Sequence, residues 1–596
     1  MGLLMDSVNR TGFLAVLYGV VAGLSLTHAS CSDYRAAADG EVRTLNTEMV
    51  PAERRTTWNP GLNAVGGIPS RTTICATLSP SGGDDTAAIQ AALDNCPANQ
   101  VVKLNTGDFR ISGGGLEINR SNIVLRGSGP TATRLLKTDQ AQTNGLSVIV
   151  IGNRWSADKF MTGSINLSAN GVKGSRAVTL ASTPGPALAV GEIVLLDQVT
   201  NPSLSWWGNC PSGDACRGWF SRNDRPISQV LEVESAGGNQ VTFTTPLHID
   251  FLTAYTAQLS RYGEDWKGLV PATRRSGVED LYVEKGGGGN IALEVCAYCW
   301  VKAVESAHSI GPSASLSGCF RSVVRDSYIH TSDDPNPGGG GYLLAVDMGS
   351  ADNLIENNIV MSGNKVMVMR ASGGGNVIGY NYMEDSYGAD YPTIVETGIN
   401  AAHMTTAHME LFEGNQSFNF DADATWGNQI YITVLRNQLT GKRRSVPPLN
   451  LIDIDNRRAI GLTINSWWYT FLGNVLGYAG MTPRPARAAF IYEWTGDWNA
   501  GVPMWQLGYD GQNWGTTPDA KVVATTIRHG NFDYVTNTTV WDPGIADHNL
   551  PLSLYLTSKP AFFGAHPWPW VDPTGATKTD TLPARARFDE GHPAQP

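Results

Sequence analysis

From about residue 300 onward one pattern of apolar and polar positions keeps returning: an apolar residue, two variable residues, then Asn or a small polar residue, then apolar again. Its instances are VRDS at 324–327, IENN at 355–358, IGYN at 378–381, FEGN at 412–415, VLRN at 434–437 and FLGN at 471–474. The last positions are spaced 31, 23, 34, 22 and 37 residues apart. The two shortest spacings set a base period of 22–23 residues, and the longer ones are that period plus insertions. Short runs of Val, Ile, Leu and Tyr separated by Gly, Asn and Ser predict strands and turns. No unit carries a helical stripe, so leucine-rich or ankyrin-type repeats fit poorly. A unit of this length made of short strands matches one coil of a parallel β-helix, with a β-sandwich of coincidental spacing as the alternative. Asn at a fixed place suits a tight turn, because its side chain tolerates the left-handed conformation and bonds locally. Stacked Asn side chains would also satisfy one another along a column.

The N-terminal half agrees. Asp84-Asp85-Thr86 reads as a helix N-cap before AAIQAALDNC, with Ile89 and Leu93 on one face. VVKL at 101–104, FRI at 109–111, LEI at 116–118 and NIVLRG at 122–127 follow as strands. A helix over the first coil would protect an otherwise open edge. Residues 163–262 break the coil pattern with separate strands (AVTL, EIVLLD, QVLEV, QVTFTT) and a loop bearing Trp206, Trp207 and Trp219, which predicts an inserted small β subdomain.

Composition narrows the function. Charged residues are 16% of the 596 positions, apolar ones 42%, and the net charge is −11, which excludes a disordered chain. An acidic balance without a long Lys/Arg run argues against a nucleic-acid partner. Seventeen Trp and nineteen Tyr are a heavy aromatic load, suited to sugar faces and to cores alike. Arg10, the apolar run from Phe13 to Leu26 and a small-residue exit read as a secretory signal peptide, too short for a comfortable membrane span. The expected location is therefore extracellular or periplasmic, with Cys31 as an alternative lipoprotein site. No later segment is apolar and long enough to span. Export permits disulfides. Cys75 and Cys96 flank the predicted helix, Cys210 and Cys216 close a short loop, and Cys296, Cys299 and Cys319 lie close in sequence. The C-x-x-C at Cys296 reads as structural, because no second Cys or His pair stands near it. The glycine runs at 286–289, 338–341 and 373–375 are turns, not phosphate loops, since none opens a helix or precedes Lys-Ser/Thr.

The segments WNPGLNAVGGIPSRTTICATL, DDTAAIQAALDNCPANQVVKL, GDFRI and SNIVLRGSG resemble the N-terminus of the pectate-lyase superfamily. More narrowly they resemble secreted bacterial β-helix proteins related to family 28 glycoside hydrolases. The resemblance runs from Trp58 to the LYLTSKPAFFGAHPWPW stretch at 554–570. It implies an all-β, right-handed parallel β-helix with an N-terminal capping helix and an inserted β subdomain. It also raises His403, before the Leu411–Asn415 run, and Asp423, three residues before Trp426-Gly427, above other candidates. The Asn-Thr-Asp and paired-Asp motifs of polygalacturonases are not evident; Asp333-Asp334 sits in the turn SDDPNPGGGG. The organisation expected is a signal peptide (1–29), a linker (30–57), N-terminal coils with the capping helix (58–162), the inserted subdomain (163–262), the main coils with catalytic loops (263–545) and a C-terminal tail packed on the helix (546–596).

Insertions locate the chemistry. Long spacings put loops near 332–342, 384–402 and 440–465, carrying Asp333 and Asp334, then Asp385, Asp390 and Glu396, then Asp453 and Asp455. Counting back from each repeat Asn aligns Asp347, Arg370, His403 and Asp423 as a polar line across coils about 4.8 Å apart. A register slip of one residue would turn such a side chain to the other face. Glycosidases need two carboxyls about 5–9.5 Å apart. The expected catalytic set is Asp423 with Glu396 or Asp390, aided by His403 and Asp347. The expected substrate-binding set is Arg370, Tyr342, Trp426, Trp206, Trp207 and Trp468. The plainer readings are a cross-strand Asp347–Arg370 ion pair, worth little if exposed, solvated turns at Asp385 and Asp390, surface histidines at His403 and His408, and strand-edge roles for Glu410 and Glu413. No cofactor or metal is implied; Asp421 and Asp423 offer oxygen ligands for calcium as an alternative.

Three functions follow. The first is a secreted glycoside hydrolase acting on a polysaccharide with paired carboxylates. The second is a polysaccharide lyase with His403 as base and Arg370, Lys365, Arg436 or the Lys442-Arg443-Arg444 cluster as counter-charge. The third is a non-catalytic glycan-binding β-helix.

Overall fold

The computed structural model describes residues 47–140, 145–154, 161–206, 222, 224–264, 268–335, 340–386, 398–423, 426–444, 446, 458–481, 504–509, 519–591 and 594. Three long sheets wind round one core as a right-handed parallel β-helix. The first runs from Ile74–Leu78 to Ile527–His529 over twelve strands, the second from Gly107–Ile111 to Thr538–Val540 over twelve, and the third from Leu116–Ile118 to Trp505–Tyr509 over ten. One coil takes a strand from each, as in Leu354–Glu356, Ile359–Gly363 and Lys365–Arg370. Inward side chains such as Ile355, Val360, Met367 and Met369 form the buried column.

The repeat Asn residues build a continuous ladder. Asn358 Nδ2 donates to Asn381 Oδ1 at 2.9 Å, Asn381 to Asn415 at 3.0 Å, Asn415 to Asn437 at 2.9 Å, Asn437 to Asn474 at 3.1 Å and Asn474 to Asn531 at 2.8 Å. Each Oδ1 also accepts a backbone N–H, and each Nδ2 gives its second hydrogen to a carbonyl of an earlier coil, as Asn415 does to Ile378 at 2.8 Å. Both ends of every amide are thereby paired in a place where an unpaired polar group is expensive. The left-handed turn falls one residue earlier than the sequence reading put it. Asn357, Tyr380, Gly414, Arg436 and Gly473 carry the positive φ, and the Asn that follows supplies the side-chain bonds.

The helix Thr86–Asn95 lies over the first coil with Ile89 and Leu93 buried. Asp85 stands at its N-cap, but its carboxylate accepts from Ser81 N and Arg110 N instead of capping the helix. A Cys75–Cys96 disulfide ties the helix end to the first strand.

An antiparallel sheet from Met161 to Leu269 leaves the β-helix after the third-sheet strand Ser147–Gly152. Its own core of Val194, Leu196, Leu231, Val233, Phe243 and Phe251 includes Ile430 of the β-helix. The insert therefore packs along the corner between the third and first sheets, where Gly349, Gly373 and Gly375 admit Ser228, Gln229 and His248 closer than a Cβ would allow. The C-terminal chain packs on the outside of the coils. Tyr555 Oη donates to Glu356 at 2.8 Å and Trp570 Nε1 to Gly414 O at 2.6 Å. Among the described residues no helix is long and apolar enough to cross a membrane.

Candidate active site

The outer face of the third sheet carries the candidate residues. Its register stacks Ser317 on Asp347, and Val346 on Met369, which brings Asp347 beside Arg370 on the next coil. The following strand, Ile399–Met404, is irregular: Val368 pairs with Asn400, yet Arg370 pairs with Met404. Two residues on one side thus face four on the other. Such bulges re-aim side chains. Here the bulge turns His403 outward, whereas strict alternation would send it inward with Ile399 and Ala401, which lie in the core.

The outward side chains meet. His403 Nδ1 lies 2.8 Å from Asp423 Oδ2, and Tyr342 Oη lies 3.0 Å from His403 Nε2. With Asp423 ionised, Nδ1 carries the hydrogen and donates to the carboxylate, which leaves Nε2 to accept from the Tyr342 hydroxyl. Asn400 Nδ2 donates to Asp423 Oδ2 at 2.5 Å, and Lys365 Nζ stands 3.5 Å from the same oxygen. Lys365 and the Arg370 guanidinium each lie 5.7 Å from the centre of the Tyr342 ring. Arg370 donates to Asp347 at 2.8 Å. The side chains of Lys365, Arg370, His403, Asp423 and Asp347 keep only 5–10% of their surface, so water competes weakly with these contacts.

Burial shapes the acid–base properties. It lowers the pKa of His403 against the pull of Asp423, so the imidazole is neutral. Burial also raises the Asp347 carboxyl against Arg370, and the Asp421 carboxyl against Arg458. Arg458 grips Asp421 through two bonds of 2.6 and 2.8 Å. Calcium has a poor seat here, because the oxygens of Asp421 and Asp423 already face Arg458, Lys365, Asn400 and His403. Among the described residues no group of three His, Cys, Asp or Glu is set to hold a metal.

The remaining candidates divide. Trp426 pairs with Met404 beside the bulge, and Trp206 of the insert is pinned next to it, its N donating to Asn428 Oδ1 at 2.6 Å. Trp468 stands apart at the next corner, stacked on Tyr431 at 5.0 Å with Lys521 above it. Glu396, Asp390, Trp207, Asp453 and Asp455 lie outside the described residues. The surface reading of His403 and His408 and the solvated-turn reading of Asp385 give way, since all three are buried. The cross-strand Asp347–Arg370 pair is present and buried, and Glu410 and Glu413 stand at the edges of the strand Leu411–Glu413, also buried. Asp385 pairs with Arg443 at 2.7 Å, so this arginine is structural. Arg436 is committed to the C-terminal chain, donating to Pro551 O and Val571 O. Asn400 was not singled out from the sequence. The signal was there: it precedes Asp423 by 23 residues, one coil, the same interval that joins Asp347 to Arg370.

No protein-family model and no curated protein sequence matches the chain. Among solved structures it is similar to the tailspike gp61 of Pseudomonas phage phi297, at 15% identity over 76% of this chain and 71% of that one, with a TM-score of 0.42. Pectate lyase Pel9A matches at 8% identity over 80% and 94% of the two chains, with a TM-score of 0.34. The A-module of a mannuronan C-5 epimerase of Azotobacter vinelandii matches at 11% over 68% and 90%, with a TM-score of 0.30.

Proposed function

We propose that the chain is an exported carbohydrate-active enzyme that cleaves a uronate-bearing polysaccharide by β-elimination. The observation that carries this reading is the relay Asp423–His403–Tyr342 with Lys365 and Arg370 beside the phenol. Elimination removes the proton next to the uronate carboxylate and needs cations to hold the charge that then spreads onto that carboxylate. His403 is the base and acts through Tyr342. The phenol gives its proton to Nε2 and takes the proton from the sugar carbon, while Asp423 steadies the imidazolium. The electron pair of the broken C–H bond becomes the new carbon–carbon double bond. The C–O bond to the leaving sugar breaks, and its oxygen takes up a proton returned through the same relay. Lys365 and Arg370 face the carboxylate of the sugar. Trp206 and Trp426 offer ring surface beside the bulge.

Hydrolysis by paired carboxyls stands as a second reading. Its support is Asp347, whose carboxyl burial holds toward the protonated form that a general acid requires. One assay separates the two. The purified mature chain is incubated with neutral and uronate polymers, and reducing ends are followed together with absorbance of the unsaturated uronate. Both signals rising on a uronate polymer supports elimination; reducing ends without absorbance supports hydrolysis and ends the first reading.

A further inference from the structure

The corner between the third and first sheets contains two short columns of inward polar side chains. In one, Cys299 N donates to Ser322 Oγ at 3.3 Å, Ser322 N to Asn353 Oδ1 at 2.8 Å and Asn353 N to Asn376 Oδ1 at 2.9 Å. In the other, Cys319 N donates to Ser350 Oγ at 3.0 Å, and the residue one coil before Cys319 is Cys296. The register of that pair is fixed by the backbone. Phe320 N donates to Cys296 O at 2.9 Å, and Ala297 pairs with Phe320. The two sulfurs stand 3.4 Å apart, and both residues are fully buried.

Stacking in neighbouring coils sets backbones about 4.8 Å apart, inside the roughly 4.4–6.8 Å Cα range that a disulfide spans. No strand has to move for the two sulfurs to close. The same chain already carries Cys75–Cys96 as a disulfide, so its folding environment is one in which thiols pair. We propose that Cys296 and Cys319 are joined by a further disulfide in the mature protein, one that staples two successive coils from inside. Cys299 is the competitor, since it also borders Cys296. It belongs to the neighbouring column, however, where its partner one coil on is Ser322 and not a thiol. Cys299 therefore stays reduced.

The step balances as thiol–disulfide exchange. One thiolate attacks a small-molecule or protein disulfide, the other displaces the donor, and the two cysteines give up two electrons and two protons to a dithiol product. Because both sulfurs are sealed in the finished fold, the exchange takes place before the coil closes.

The test uses the full chain exported to an oxidising compartment and alkylated with N-ethylmaleimide under denaturing conditions without reductant. Tryptic cleavage after Lys302 separates the segment holding Cys296 and Cys299 from the one holding Cys319. The expected result is a cross-linked pair of these peptides, two hydrogens lighter than their sum, with fragment ions placing the label on Cys299. Cys299→Ser leaves the cross-link in place, and Cys319→Ser abolishes it and exposes Cys296 to labelling. Full labelling of Cys296 and Cys319 in protein whose Cys75–Cys96 bond is intact overturns the proposal. So does a bond from Cys299 to either of them.

Discussion

His403 Nδ1 stands 2.8 Å from Asp423 Oδ2 only because two extra residues bulge the strand Ile399–Met404. The bulge converts an inward position into the centre of a polar group made with Tyr342, Asn400 and Lys365. The arrangement is directional: carboxylate, imidazole and phenol stand in line, with Arg370 at the phenol end and Lys365 reaching both the phenol ring and the carboxylate.

That direction makes the first prediction. Tyr342→Phe removes the terminal hydroxyl and leaves the ring over Lys365 and Arg370, so the fold persists. Elimination on a uronate polymer falls by about 10²–10⁴-fold in kcat, the range for losing a positioned acid–base group. His403→Gln falls by a similar factor, and the double variant falls little further, because the two act as one unit. Steady-state kinetics on the three proteins checks this. Additive losses would mean that Tyr342 binds sugar without sharing the proton.

The second concerns pH. In the proposed elimination the base works only while His403 is unprotonated, and burial holds its pKa below the ordinary 6.5. The acid limb of kcat/KM therefore lies below pH 6.5. Asp423→Asn takes away the group that raises this pKa, so whatever activity survives has its limb shifted further toward acid. A limb above 6.5 in the wild type would contradict the burial argument.

How much of this was legible beforehand depends on which physical quantity carried the information. The 23-residue period and the Asn ladder were readable, because a side-chain column must recur at one place per coil. The line through Asp347, Arg370, His403 and Asp423 was readable for the same reason. The bulge was not. It is a two-residue surplus within one strand, and nothing in INAAHM distinguishes it from regular pairing. Glu410 read as a strand-edge residue because a lone carboxylate gives no hint of what surrounds it. In the fold it ends a polar column, accepting from Ser372 Oγ at 2.6 Å and Asn376 N at 3.1 Å. The positive φ was assigned to the ladder Asn, since Asn tolerates it. The coil instead spends the Asn side chain on its neighbours and lets Tyr380 or Arg436 carry the turn.

Glu410 gives a third prediction. Burial raises its pKa from 4.5 to about 8. The folded protein therefore keeps a proton that the unfolded chain has lost across that interval, and stability falls as pH rises through it. Glu384 and Glu413, both raised to about 7, act in the same direction. His330, His403 and His408, all lowered by burial, act oppositely but only below 6.5, and Lys173, lowered to about 8, acts oppositely toward the top of the range, so the carboxyls dominate from pH 6.5 to 7.5. Denaturant unfolding in that window should show stability declining with pH, at most about 1.4 kcal/mol per unit for each group. Glu410→Gln makes the slope shallower. A slope of the opposite sign would sink the account.

A fourth follows from the ladder. Asn415→Ala strands the Asn381 N–H and one Nδ2 hydrogen of Asn381, takes one of two donors from Asn437 Oδ1, since the backbone N–H at 415 remains, and takes one donor from Ile378 O. With each buried orphan group costing about 1–3 kcal/mol, the loss exceeds about 3 kcal/mol. Asn415→Asp keeps the acceptor side but aims a carboxyl oxygen at Asn437 Oδ1 and Ile378 O, so it loses at least as much at neutral pH. Denaturation midpoints of the two variants against wild type give the ordering, and midpoints equal to that of wild type would show that the ladder is decoration.

The last prediction tests whether the floor beside the relay binds substrate. Gly461 sits opposite Asp421 in the register, and a Cβ there would come within 2.1 Å of both Arg458 Nε and Asp421 Oδ1. The absence of a side chain at 461 is what lets Arg458 lie flat across the sheet and grip Asp421 with two bonds. Gly461→Ala forces both the guanidinium and the Asp421 carboxylate away, and since both are side-chain ends the coil itself need not move. Arg458 is itself buried, so a uronate polymer running along the third sheet would meet the change through the loosened Arg458–Asp421 surface, while Tyr342, His403 and Asp423 keep their contacts. KM then rises about 10-fold with kcat nearly unchanged, the pattern of a lost binding contact. Arg458→Met should reproduce the KM effect with Gly461 in place. A drop in kcat as large as that of His403→Gln would instead place Arg458 within the relay, because the carboxylate of Asp421 would then be sensed at Asp423.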